Sequence, residues 1–251
     1  MIIDIATLFP DMCERVVSES IIGRARTKGL VEINCHYIRD YTLDKHRRCD
    51  DAPYGGGMGL VMQADPIWRC YEQVCQMREV KLHPIYLTPQ GKPLTQERCI
   101  ELSKLDGLFL LCGHYEGVDE RVIERMNPEE ISIGDYVLTG GELPALVLTD
   151  AVTRLLDGVL SSSECFEEES HYSGLLEYPH YTRPEVWEDM QTPEILLSGH
   201  HANIDKWRRE QTLIRTLKKR PDLLERASKQ GGLTEEDERI VNELTKLLKD
   251  I

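Results

Sequence analysis

Pro84-Ile85-Tyr86-Leu87-Thr88, then Leu94 to Leu105, then Gly107-Leu108-Phe109-Leu110-Leu111-Cys112 together decide the fold. The first and last are apolar runs of strand length, each followed by a glycine-containing loop: Thr88-Pro89-Gln90-Gly91 and Gly113-His114-Tyr115-Glu116-Gly117. The segment between them has helical spacing, with Thr95 as its cap and Gly107 as its stop. Strand, helix and strand in this order predict a parallel α/β sheet.

Working outward, Ile2 to Phe9 and Val31 to Ile38 read as further strands, the second with the cleaner alternation. Ile131 to Leu138 reads as extended, Thr139-Gly140-Gly141-Glu142 turns the chain, and Leu143 to Leu156 is an apolar helix whose one basic residue is Arg154. Asp157 to Glu164 has linker composition. The expected organisation is a main domain over 1–160, a flexible linker over 161–172 and a mostly helical domain over 173–251, ending in the amphipathic Thr234 to Leu248.

The 251 residues, 41% hydrophobic and 29% charged, describe an ordinary globular chain long enough for a full core. No apolar run approaches membrane-spanning length, and Met1-Ile2-Ile3-Asp4-Ile5 lacks the basic and apolar stretches of a leader, so a cytoplasmic location is expected. Cysteines at 13, 35, 49, 70, 75, 99, 112 and 165 form no Cys-x-x-Cys pair and read as reduced, packed thiols. Adjacent His200 and His201 point apart and have no clustered ligands, so no metal site is expected.

A net charge of −14 disfavours contact with phosphates, but the charge is segregated. Lys206 to Arg220 holds seven Lys or Arg and one acid, Glu210, whereas Glu164 to Asp189 is acidic. Helical spacing places Trp207, Leu213, Ile214 and Leu217 on one face and Arg208, Arg215 and Lys219 on another, a one-signed stripe suited to nucleic-acid phosphates.

Asp50-Asp51-Ala52-Pro53-Tyr54-Gly55-Gly56-Gly57-Met58-Gly59 is neither a dinucleotide fingerprint nor a P-loop, and alone it reads as a surface turn. Three glycine loops after apolar strands carry more weight. Open parallel sheets bind ligands beyond the carboxyl ends of their strands, and Thr88–Gly91, Gly113–Gly117 and Thr139–Glu142 converging there make a nucleoside-sized pocket.

Pro53 to Gly59, Gly113 to Gly117, Ile131 to Glu142, Gly174-Leu175-Leu176-Glu177-Tyr178-Pro179-His180-Tyr181-Thr182-Arg183-Pro184 and Leu196-Leu197-Ser198-Gly199-His200-His201 resemble, in order and spacing, bacterial tRNA (guanine-N1)-methyltransferases of the SPOUT class. The resemblance implies an α/β SPOUT-type sheet with a C-terminal trefoil knot and a homodimer with its active site at the subunit interface. It implies S-adenosylmethionine as methyl donor and N1 of guanosine 37 in tRNA as acceptor, where the preceding base is also guanosine. The partners are then tRNA and a second copy of the chain, with no DNA and no membrane; Mg²⁺ has been associated with the family, and the sequence leaves its part open.

Carried onto this chain, the cofactor pocket comprises Tyr86, Leu87, Thr88, Pro89, Gln90, Gly113, Tyr115, Glu116, Gly117, Ser132, Ile133, Gly134, Asp135, Tyr136, Val137, Leu138, Gly140, Gly141 and Pro144. Asp50, Gly55, Gly57 and Gly59 are expected to hold the guanines, and His180, Arg183, Arg208, Arg215 and Lys219 to contact the tRNA. Known members have Asp-Ser ahead of the Gly-Leu-Leu motif; here Glu169-Ser170 stands there, with Glu167 and Glu168 adjacent. Thr88 stands where Ser is common.

Guanine N1 carries a proton at neutral pH and must lose it to become nucleophilic. Glu169 is the expected general base and Arg154 the cation facing O6 and N1. Arg154 also fits a structural role, as a cation at a helix end. Two other readings stand beside this one: a knotted RNA methyltransferase acting on a different position, and a catalytically silent tRNA-binding protein.

Overall fold

Every residue of Gly107–Cys112 is buried in the computed structural model, which describes residues 1–161 and 169–249. The side chains alternate between two cores, with Leu108, Leu110 and Cys112 in one and Phe109 and Leu111 in the other. A strand covered on both faces shows no polar alternation, which is why it reads as a continuous apolar run. Burying each Leu or Phe contributes about 2 kcal/mol, so this segment takes the middle of the sheet.

The chain divides into two compact units, Met1–Ser163 and Glu164–Ile251. In the first, strands β1 (Ile2–Thr7), β2 (Glu32–Tyr37), β5 (Leu82–Pro93), β6 (Gly107–Cys112) and β7 (Glu129–Ser132) form one sheet. Its order is β2-β1-β6-β5-β7, parallel throughout. Helices α1 (Pro10–Val17), α2 (Ser20–Thr27), α4 (Gln96–Leu102) and α6 (Glu142–Thr153) build the core with Leu108 and Leu110. Helices α3 (Ala64–Met77) and α5 (Glu120–Met126) build the core with Phe109. Strands β3 (Asp50–Asp51) and β4 (Val61–Met62) pair separately, antiparallel, around the glycine-rich loop. Asp4 is fully buried on β1; burial alone would raise its carboxyl, but His36 Nε2 at 2.8 Å and Arg78 Nε at 2.9 Å hold it below the usual range.

Thr95 caps α4 as the spacing predicts, its hydroxyl accepting from Arg98 N at 3.2 Å. Three expectations need correction. Gly107 is not the helix stop: α4 ends at Leu102, and Gly107 already belongs to β6. β5 runs past Thr88 to Pro93, bowing between Leu87 and Lys92, which both sit opposite Ile131. Ile131 to Leu138 is extended only to Ser132; there the Ser132 hydroxyl takes the Gly134 N–H at 3.2 Å, and the chain turns out of the ladder.

In the second unit, β8 (Val186–Trp187) and β9 (Met190–Gln191) form a small hairpin, followed by α7 (Glu194–Leu197), α8 (His201–Lys219), α9 (Pro221–Lys229) and α10 (Glu235–Lys249). Leu175, Leu213, Leu224 and Ala227 form its core. A reciprocal cap starts α10: Thr234 N donates to Asp237 Oδ2 at 2.8 Å, and Asp237 N to Thr234 Oγ1 at 3.1 Å. Arg209 pairs with the same carboxylate at 2.9 and 2.8 Å, and these contacts bring the Asp237 pKa down to about 2.

The basic stripe of α8 is partly covered. Its buried residues are Ile204, Thr212, Leu213 and Thr216, and Leu176 N donates to Thr216 Oγ1 at 3.0 Å. The stretch leading to Tyr181 therefore covers the side that carries Arg208 and Arg215, which are half-buried; Lys219 is exposed. Of the expected linker, 162–168 lies outside the described residues, and with it Cys165, Glu167 and Glu168. The seven cysteines within the described residues are unpaired with one another by disulfide.

Candidate active site

The carboxyl ends of β5, β6 and β7 open on a cleft of about 280 Å³. The bow of β5 supplies Thr88, Pro89 and Gln90; the loop after β6 supplies Gly113 to Gly117. The last residue of β7, Ser132, and the turn after it, with Ile133, Gly134 and Tyr136 to Gly141, join the lining, and α6 supplies Pro144. Tyr86 and Leu87 complete the expected set, so one of the expected pocket residues stands apart: Asp135 is exposed and outside the lining. Sequence reasoning passed over Val118, Glu120, Ile123 and Glu130, which the fold brings in from the chain leading into α5, from α5 itself and from β7.

Two backbone segments meet at the floor of the cleft. Gly141 N donates to Gly113 O at 2.8 Å, and His114 and Gly140 form an isolated antiparallel bridge. A Cβ on Gly141 would lie 2.7 Å from Cys112 Cα and 2.9 Å from Gly113 N, so only glycine permits this crossing. Below it the Glu142 carboxylate is buried and accepts from Thr7 Oγ1 at 2.8 Å.

The lining has carboxylates from Glu116, Glu120 and Glu130 and, among the described residues, no Lys or Arg. Burial, then the charges of Glu130 and Glu120, push the Tyr86 phenol above its ordinary pKa. Burial and the nearby Glu142 likewise push the Cys112 thiol up. The cleft is therefore electronegative and suits a cationic ligand better than an anionic one.

The glycine-rich hairpin is stitched to this cleft. Glu116 N donates to Leu60 O at 3.0 Å and Met62 N to Gly117 O at 2.9 Å. Arg39, which sequence reasoning did not single out, donates to Asp50 at 3.4 Å and to the Tyr115 hydroxyl at 3.1 Å. Asp50 thus stands beside the Gly113–Gly117 loop. Gly55, Gly57 and Gly59 follow in the loop, where Tyr54 and Met58 are almost wholly exposed.

Arg154 caps the C-terminus of α6, half-buried, on the helical stripe of Leu143, Val147 and Asp150. Glu169 lies in the second unit, half-buried at the start of a turn in which Tyr172 N donates to its carbonyl at 3.3 Å. His180 Nε2 pairs with Glu177 at 2.8 Å, and Arg183 is exposed. Arg215 reaches the Glu177 carbonyl at 3.4 Å, and the Arg208 guanidinium lies over the Tyr178 ring at 5.0 Å. Among the described residues, no group of three His, Cys, Asp or Glu side chains is placed to hold a metal ion. None of their helices is long and apolar enough to cross a membrane.

The family profile described as tRNA (Guanine-1)-methyltransferase TrmD matches residues 1–226. A tRNA (guanine-N(1)-)-methyltransferase of Ruminiclostridium cellulolyticum is 59% identical, over 88% of this chain and 94% of its own length. Proteins with the same name from Chloroflexus aurantiacus and Staphylococcus epidermidis are 54% and 48% identical, the first over 96% of this chain and 95% of its own length, the second over the full length of both.

Proposed function

The chain belongs to the tRNA (guanine-1)-methyltransferase TrmD family, and we propose that it transfers a methyl group from S-adenosylmethionine to N1 of guanosine 37 in tRNA, where the preceding base is also guanosine. The observation that carries the cofactor reading is the cleft: glycine loops offering backbone to a flat adenosine, and three carboxylates facing a ligand with a sulfonium and an ammonium. A triphosphate or dinucleotide would meet the same carboxylates as repulsion. When bound there, S-adenosylmethionine supplies the electrophilic methyl carbon.

The chain's own groups do the rest. Asp50 and the Gly55–Gly59 loop hold the guanine pair beside the cofactor loop. Glu169 takes the proton from N1, and Arg154 balances the negative charge that then builds on O6. Transfer from a sulfonium needs no metal to activate its leaving group, and in this reading Mg²⁺ is an accessory.

The partner for the site is a second copy of the chain. Phe9, Met12 and Val16 along α1, and Leu143 and Val147 along α6, are each at least 40% exposed, and α1 packs against α6. Such an apolar face calls for a cover, and Arg154 shares its α6 stripe. In the proposed dimer, Arg154 and Glu169 reach one site from different protomers. The close passage of Gly141 over β6, and of Gly91 against Glu130 and Ile131, where an added Cβ would lie 2.5 Å from backbone, supports a chain threaded tightly enough to form the trefoil knot. The second unit, with Arg183 and Lys219 exposed, grips the tRNA in the cytoplasm, where tRNA is used.

Incubating the protein with methyl-labelled S-adenosylmethionine and unmodified tRNA tests the proposal. Label in the tRNA is expected; tRNA binding without turnover would identify a silent binding protein.

A further inference from the structure

The segment Glu177 to Tyr181 lies on α8 and brings its three aromatic rings beside Trp207 and two guanidiniums. Tyr178 has the Arg208 guanidinium 5.0 Å from its centroid on one side and the His180 ring 5.0 Å away. Tyr181, 48% exposed, sits 6.4 Å from the Trp207 ring. Arg208 Nε is buried without a hydrogen-bond partner among the described residues, although Nη1 reaches Asp205 at 3.4 Å. Glu177, the carboxylate within the segment, is already engaged by His180.

We propose that this Tyr178–His180–Tyr181 surface is a stacking platform for an unpaired nucleobase of the tRNA, so that part of the grip on substrate is aromatic and not ionic. The proposal rests on the tRNA-substrate reading. Trp207 backs the exposed Tyr181 ring, which costs little side-chain entropy to order, and a base offers a flat face of matching size. A duplex does not fit, because its base faces are already covered by stacking. An acidic protein surface would meet the seven cations between Lys206 and Arg220 without using the rings, whereas RNA uses both.

The test compares binding of unmodified tRNA by the wild-type protein and by Tyr181→Leu and Tyr181→Trp across a salt series. A blunt RNA duplex without unpaired nucleotides serves as second probe, and thermal melting verifies folding. Tyr181→Leu is expected to weaken tRNA binding by roughly 5- to 150-fold with an unchanged salt slope, because stacking releases no counterions. Tyr181→Trp is expected to bind as wild type, and the duplex to bind all three proteins alike. Unchanged tRNA binding by folded Tyr181→Leu, a reduced salt slope, or an equal loss on the duplex would overturn the platform. Wild-type methyl transfer, run on the same tRNA, keeps the readings apart: turnover with unchanged Tyr181→Leu binding sinks the platform alone, and absence of wild-type tRNA binding sinks both.

Discussion

Replacing Gly141 by Ala probes the crossing that shapes the cleft. Carbon atoms in ordinary contact lie about 3.5–4.0 Å apart. The new methyl would stand 2.7 Å from Cys112 Cα and 2.9 Å from Gly113 N. Both neighbours are backbone, one at the fully buried end of β6 and one in the residue after it, so they cannot rotate away; the loop must lift by about 1 Å. Overpacking of this kind costs roughly 1–3 kcal/mol. In a chain of this size each kcal/mol lowers Tm by about 2–4 °C, giving an expected drop of roughly 2–12 °C. Lifting the loop also breaks the 2.8 Å bond from Gly141 N to Gly113 O, which fixes one wall against another. Losing the equivalent of one hydrogen bond weakens S-adenosylmethionine binding by roughly 2- to 13-fold. Calorimetric titration well below either Tm separates lost affinity from lost fold. A Gly141→Ala protein that melts and binds as wild type would refute the argument that backbone contact closes this cleft.

Glu169→Gln should lower single-turnover methylation by roughly 10²–10⁴-fold while leaving cofactor affinity unchanged, with Glu167→Gln and Glu168→Gln near wild type; a crippled Glu168→Gln beside an active Glu169→Gln would reassign the base. Mixing Arg154→Ala with Glu169→Ala protomers should restore part of the activity in heterodimers, and no recovery after verified subunit exchange would place each site within one chain. Asp237→Asn should destabilise the second unit by about 2 kcal/mol at neutral pH, read by chemical denaturation. Because the folded pKa of Asp237 is depressed to about 2 from 3.8, the wild-type advantage is full above pH 3.8 and fades as pH falls through about 2; an advantage that persists below that range would dissociate it from the Arg209 pair.

The sheet was legible where one strand carries its own signal. Gly107 to Cys112 is apolar throughout because both faces are covered, and Thr95 announces its helix through a hydroxyl that caps it. The bow of β5 was not legible, since Pro89-Gln90-Gly91-Lys92-Pro93 is turn-like in composition and joins the strand only through β7. Much of the cleft could be placed because its glycine loops follow recognisable strands. Glu120 and Glu130 escaped: nothing local marks a carboxylate that tertiary structure turns inward. Arg39 escaped for the same reason, as its partners Asp50 and Tyr115 are distant in sequence from each other. The partial cover over Arg208 and Arg215 was not legible, because helical spacing shows which residues share a face and not which distant segment lies on it.

Nucleoside analysis of a tRNA after reaction tests the central claim most directly. Unmodified tRNA carrying guanosine at positions 36 and 37 is incubated with the protein and S-adenosylmethionine, digested to nucleosides and mapped by fragment. The account predicts 1-methylguanosine confined to position 37, and little or none when position 36 is changed to adenosine. A methyl group on another base, on ribose or at another position would contradict it.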